Sequence, residues 1–362
     1  MSTSFFETPP GWADEIRAAA RALRETAASD IALYARPVVQ AVLSIVWIHA
    51  SVVFLLLWAH SSATIALAVI STGLAAAGGL FMVAHNSLHQ SIVRSKRLNY
   101  VLGLLSSPLG LTAGWWKAKH NVLHHAHTND PANDDSMPLV FVRLSPYQQW
   151  RPHHRFQYLY VPLLFPLMAI AMFFSDAVYV LTGRLNTRKH GVPSLKKLGH
   201  GLAEKLALPA IILTAAFRTH SAMSVLAGTF AVLLVAGLSL SLVFGVNHFV
   251  EGNVYPDTDS RLRGDAFLMQ QVRGTCNYAP KSRLVTWYTG GLNLHIEHHL
   301  FPSLPHQLLP LLAPQVKAIC ERHGVPYNEF RTHPAAFWAF ERNLRAMSRP
   351  TTVASAYFAQ AS

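Results

Sequence analysis

Apolar residues in this chain gather into long, nearly uninterrupted runs, far longer than the stripes of an amphipathic helix or strand. The first run covers about 38–58 and the second about 63–84, with only a short turn around His60, Ser61 and Ser62 between them. Each is long enough to cross about 30 Å of hydrocarbon as a helix. Together they predict an antiparallel hairpin that returns the chain to the side it left. The stretch 98–114 is apolar but broken by Ser106, Ser107, Pro108 and Gly110, and reads as a re-entrant or surface-lying segment. Further runs cover 156–181, containing Pro162 and Pro166, then 206–217 and 222–246.

Histidines stand immediately outside these runs, in three clusters: His85-x-x-x-His89, His120-x-x-x-His124-His125 and His295-x-x-His298-His299. With 20 histidines in 362 residues, the two-histidine pattern is expected about once by chance. Each three-histidine pattern is expected only about 0.06 times, so the second and third clusters carry the signal. The first gains weight from its position at the end of the second run. Its i,i+4 spacing predicts two rings on one helical face. In the second cluster His120 and His124 stand one turn apart and His125 about 100° around the wheel from His124, so the three rings sit on adjoining faces of one helix.

The position of these clusters constrains the topology. A third cluster on the same side as the first two requires one of the three later runs not to cross. The basic segment Arg184, Arg188, Lys189, Lys196 and Lys197 belongs on the cytoplasmic side, which marks 156–181 as the non-spanning run. The run 206–217 is short for a span unless Lys205 snorkels. The predicted fold is therefore an all-α membrane protein. Four transmembrane helices (about 38–58, 63–84, 206–217 and 222–246) form two hairpins, with re-entrant or interfacial segments and a cytoplasmic helical cap holding the metal site. Domain boundaries follow: a cytoplasmic N-terminal segment 1–37, a membrane domain 38–305, and a cytoplasmic C-terminal region 306–362. Within the first segment Trp12, Ile16, Ala19 and Leu23 recur at helical spacing. They predict either a helix lying on the membrane surface or an ordinary soluble amphipathic helix. These residues lack the early apolar core of a signal peptide.

Composition agrees with this picture. Hydrophobic residues make up 51% and charged residues only 13%, against about 25% in soluble domains. Lys plus Arg exceed Asp plus Glu, 30 to 18. Because the basic residues are scattered among apolar runs, they fit positive-inside loops and anionic headgroups, not nucleic acid. The two cysteines, Cys276 and Cys320, imply neither a disulfide framework nor a thiolate metal site.

Neutral imidazoles from three places suit a pair of transition-metal ions. Without cysteine ligands, structural zinc and iron–sulfur clusters are disfavoured. A pair of iron ions suits a site that must activate dioxygen and attack an unactivated C–H bond, since a hydrocarbon chain offers nothing for acid–base catalysis. His248, at the exit of the last run, joins the clusters by topology. Carboxylates and amides near the clusters (Asn86, Asp130, Asp134, Asp135, Asn247, Glu251, Asn293 and Glu297) could receive the second ring N–H of the ligands. Glu297 and Asp130 rank first by proximity. Trp115 and Trp116 lie between an apolar stretch and the second cluster, where they read as interfacial belt residues or, in the family that the motifs below resemble, as the border of its substrate tunnel.

The sequences His85-Asn-Ser-Leu-His89, Trp116-Lys-Ala-Lys-His120-Asn-Val-Leu-His124-His125 with Thr128-Asn129 following, and Gly291-Leu-Asn-Leu-His295-Ile-Glu-His298-His299-Leu-Phe-Pro302 resemble the membrane-bound fatty acid desaturases. The likeness is closest to bacterial acyl-lipid and acyl-CoA enzymes, including the front-end type, and covers roughly 80–305 with the matching Asn247-His248-Phe249-Val250-Glu251 exit. It implies four membrane helices, a cytoplasmic cap, a kinked acyl tunnel and two non-haem irons. The ligands it implies are His85, His89, His120, His124, His125, His248, His295, His298 and His299. It further implies a membrane-lipid or acyl-CoA substrate, dioxygen, and a place in a bacterial inner membrane with the site facing the cytoplasm. Front-end enzymes usually begin the third cluster with glutamine, whereas this chain has His295, the pattern of other desaturase groups. A fused haem-binding donor domain is absent from the 362 residues, so a separate ferredoxin-like or haem carrier with its reductase is expected. A hydroxylase or ketolase of lipids, alkanes or carotenoids would use the same ligands. A metal transporter would instead place ionisable groups inside the spans.

Overall fold

The computed structural model describes residues 6–28, 30–137, 140–185, 191–256 and 262–350. Arg188 and Lys189 of the basic segment, and the C-terminal region beyond 350, lie outside the described residues. In chain order the helices begin with α1 (Trp12–Ala28), α2 (Ile31–Leu57), α3 (Ser62–Gly79), α4 (Asn86–Leu88), α5 (Lys96–Leu105) and α6 (Ala113–Trp116). Next come α7 (Gln157–Leu164), α8 (Met168–Thr182), α9 (Leu195–Thr219) and α10 (Ala222–His248). The last five are α11 (Gly264–Gly274), α12 (Arg283–Tyr288), α13 (His295–Leu300), α14 (Leu309–Arg322) and α15 (His333–Met347). Leu80–His85 and Lys117–His124 are wound as π-helix. Among the described residues the named strands are two parallel pieces of two residues each, β1 (Asn277–Tyr278) and β2 (Glu329–Phe330), with Asn277 opposite Glu329.

Among the described residues, five helical stretches are long and apolar enough to cross a membrane: Ala35–Leu57, Ser62–Leu88, Pro152–Thr182, Leu195–Thr219 and Ala222–His248. Four coincide with the expected spans. The fifth is the stretch that charge and parity exclude, and neither its length nor its composition sets it apart. The run at 206–217 is not short after all, because α9 starts at Leu195 and reaches 25 residues. Lys205 therefore does not snorkel. Its side chain is buried and paired with Asp176, an outcome hidden from a reading that treats α9 alone.

The chain divides into two compact units. The first collects the described parts of 1–37, 120–163 and 243–362, and the second 38–119 and 164–242. In the first unit, α1 packs its apolar face on α14. Trp12, Ile16 and Ala20 join Leu312, Val316, Ile319 and Cys320 in one buried core. Glu15 bonds Arg322 and His323, and Arg17 bonds Asp265. In the stripe that the helical spacing picks out, Trp12 and Ile16 are buried by protein, and Ala19 and Leu23 are partly buried against the same core.

The second unit is packed by small residues. A Cβ at Gly73 on α3 would stand 2.6 Å from Val235 Cβ on α10, a backbone approach that only glycine permits. The stretch 98–114 forms the ten-residue α5 followed by a loop and α6. At about 1.5 Å per residue, α5 is too short to cross.

Candidate metal centre

The helix carrying the second histidine cluster starts at Thr112, whose hydroxyl accepts from Trp115 N at 3.3 Å as an N-cap. From Lys117 it widens to i→i+5 bonding. The nitrogens of the cluster divide between two groups. His120 meets His125, Nε2 to Nε2 at 3.2 Å, while His124 joins a different group with its Nε2 3.0 Å from His248 Nε2. The rings of His120 and His124 nonetheless stack, 5.3 Å between centroids, as residues one turn apart should.

In the first unit seven histidines fall into two adjoining groups. His124, His248, His295 and His299 bring one nitrogen each to within 4.8 Å of one another, and so do His120, His125 and His298. The groups touch through His125 and His299, stacked at 4.3 Å between centroids. His248, the last residue of α10, lies 2.8 Å from His295 across their Nε2 atoms. All seven are buried. Burial, reinforced by neighbouring rings, holds His299 well below the usual imidazole range, which keeps it in the neutral form that ligates metals. Lone pairs converging this closely without thiolates fit transition-metal ions, and the arrangement is a candidate metal centre.

The outer faces of the rings are held by specific acceptors. His124 Nδ1–H donates to Asp134 Oδ2 at 2.9 Å, leaving Nε2 for a metal. Asn129, at φ 60°, turns the chain so that Asp134 returns to the ring and also accepts from the Asn129 amide at 3.0 Å. Asp130, favoured by proximity, does not reach a ring. Its carboxylate caps the same turn through Ala132 N and Asn133 Nδ2. His299 Nδ1–H donates to Gln271 Oε1 at 2.9 Å, and the Thr128 hydroxyl donates to the same oxygen at 2.8 Å. Gln271 carries no signal in the sequence, since it is one amide on an ordinary helix far from any cluster. The Asn247 amide contacts His295 at Nδ1, 3.2 Å away.

Glu297 faces away from the rings. It accepts from Asn277 Nδ2 and from the Tyr327 hydroxyl, both at 2.8 Å. Asn277 Oδ1 accepts from Ile296 N at 3.0 Å. Glu297 thus fastens α13 to β1, and burial pushes its carboxyl up to about 7 against those hydrogen bonds.

The second unit holds His85 and His89, both buried, with ring centroids 4.7 Å apart. His85 stands edge-on to Trp116 at 6.1 Å. Trp116 is also one wall of a small, partly open apolar cavity. Leu80, Ala84, Leu104 and Leu111 line it together with Tyr100, Thr112 and Ala113. Trp115 and Trp116 are both buried, so neither is an exposed belt residue. Trp115 donates from Nε1 to Ser175 Oγ at 3.3 Å instead of lining the cavity.

The model of the fatty acid desaturase family matches residues 61–331. The sn-1 linoleoyl-lipid 6-desaturase of Arthrospira platensis is 30% identical over 290 residues, covering 77% of this chain and 76% of that relative. The enzyme of the same name from Synechocystis sp. is 30% identical over 277 residues, covering 74% and 76%. An acyl-lipid (7-3)-desaturase from Rebecca salina is 31% identical over 280 residues, covering 74% and 60%.

Proposed function

The chain belongs to the fatty acid desaturase family and is a membrane oxidoreductase that desaturates fatty acids, and from that premise we propose that its substrate is an acyl chain esterified to a membrane lipid. The names of its relatives support a lipid carrier over coenzyme A. The observation that carries the reading is the pair of adjoining, buried, thiolate-free histidine groups.

The metal is iron, two ions, held by His85, His89, His120, His124, His125, His248, His295, His298 and His299. Two groups in the first unit support two ions, and His85 and His89 come from the family motif. Bound there, an iron pair supplies activation of dioxygen for removal of two hydrogens from neighbouring carbons. The balance is –CH2–CH2– plus O2, two electrons and two protons giving –CH=CH– and two waters. A separate carrier provides the electrons. The chain spans the membrane four times with the metal centre on the cytoplasmic side, as the placement of Arg184, Lys196 and Lys197 supports. The protein's own residues keep the imidazoles neutral and oriented, through Asp134 and Gln271, and enclose the acyl chain in the apolar cavity beside Trp116.

Expression in a host with a simple lipid profile, followed by mass spectrometry, is expected to show lipids lighter by two hydrogens. A gain of oxygen in place of that loss would instead establish the hydroxylase. Replacing Gln271 with leucine removes the acceptor that fixes His299, and such losses typically lower metal affinity by about 10–100-fold. Metal content measured during iron titration of the variant is expected to show that shift, with the fold retained by circular dichroism.

A further inference from the structure

Charged side chains lie buried in the second unit where the sequence reads as apolar. Asp176 on α8 and Lys205 on α9 form an ion pair at 3.2 Å, with side chains 0% and 4% exposed. Ionisable groups at such depth are costly unless every polar atom is matched, and in membrane proteins they mark functional places. Their remaining bonds converge on one short segment. Asp176 accepts from the Thr112 hydroxyl at 2.7 Å and from the Thr112 amide at 2.9 Å. Lys205 Nζ donates to the Gly110 carbonyl at 3.3 Å and to the Phe173 carbonyl at 2.9 Å. Glu204 accepts from the Ala113 amide at 2.9 Å and from the Tyr100 hydroxyl.

The backbone is shaped for this grip. Pro209, lacking an N–H, leaves the Lys205 carbonyl without its helical partner. Gly110, at φ 64°, packs where a Cβ would collide with that carbonyl. The residues held, Tyr100, Thr112 and Ala113, all line the apolar cavity.

We propose that Asp176, Glu204 and Lys205 are positioning residues that fix this wall of the cavity and thereby select which carbons of the acyl chain are desaturated. None of the three lines the cavity. They act through the wall, and the proposal rests on the reading of the cavity as the acyl-chain site. A slip of about 1.5 Å, one residue's rise along a helix, is comparable to the spacing of successive chain carbons. Small displacements of the wall therefore translate into a change of position.

The test compares the full-length protein with Tyr100→Phe, Glu204→Gln and the double variant Asp176→Leu/Lys205→Met, which removes the pair without stranding one charge. Each is expressed in a host supplied with two acyl chains differing by two carbons. Metal content and membrane abundance are measured beside the ratio of positional isomers. The expected result is metal-loaded variants whose isomer or chain-length ratio moves on the order of tenfold. Metal-loaded variants that reproduce the parent's ratio, at whatever rate, overturn the proposal. If the double variant does not accumulate, the two conservative single variants decide the matter by the same ratio. A parent protein yielding no desaturated lipid would refute the functional reading itself, an outcome distinct from unchanged isomer ratios.

Discussion

Alanine at His124 or at His298 is expected to abolish lipid desaturation and to lower bound metal, each alone. The two residues belong to different groups. His124 converges with His248, His295 and His299, and His298 with His120 and His125. Removing either leaves one group short of a ligand. Loss of an outer hydrogen-bond partner typically costs about 10–100-fold in metal affinity or activity, and loss of the ligand itself should exceed that and take product below detection. A buried imidazole also leaves a space when truncated, so membrane abundance must be measured together with product and metal. The exposed His60, in the turn between α2 and α3, provides the control, and His60→Ala should retain both metal and activity. Full activity in both cluster variants would refute the assignment of the site.

The histidine clusters were legible because their composition is improbable and because they sit at the ends of apolar runs. Their pairing was not. Residue preferences do not separate i→i+4 from i→i+5 winding, so nothing in Lys117–His124 announces that His120 will meet His125. Proximity in sequence also ranks the candidate carboxylates wrongly. Asp130 is nearer in sequence, but the left-handed Asn129 turns it into a cap and delivers Asp134 to the ring. Gln271 could not be found at all, since its role comes from packing α11 against α13 and not from any pattern. The apolar stripe of α1 was read correctly as a helix, yet a stripe looks the same whether lipid or α14 covers it. Lys205 shows the limit most clearly. Its fate depended on Asp176, a single acid 29 residues away in a run classed as apolar.

Stripping metal under anaerobic conditions is expected to remove activity and to lower the thermal midpoint, and the two effects should respond differently to replacement ions. In the first unit alone, seven buried histidines direct nitrogens into two groups less than 4.8 Å across. Without cations those lone pairs face one another in a poorly solvated interior. An ion that binds only the folded state stabilises it by about 2.7 kcal/mol at a hundredfold excess over its dissociation constant, so occupancy of the centre should raise the midpoint by several degrees. Zinc accepts imidazole ligands but has no accessible redox change, so it should restore the midpoint and leave the lipids saturated. Ferrous iron should restore both. A zinc-loaded protein that still desaturates would remove the need for a redox metal. A stripped protein with an unchanged midpoint and full activity would show that the convergent histidines do not hold a functional ion.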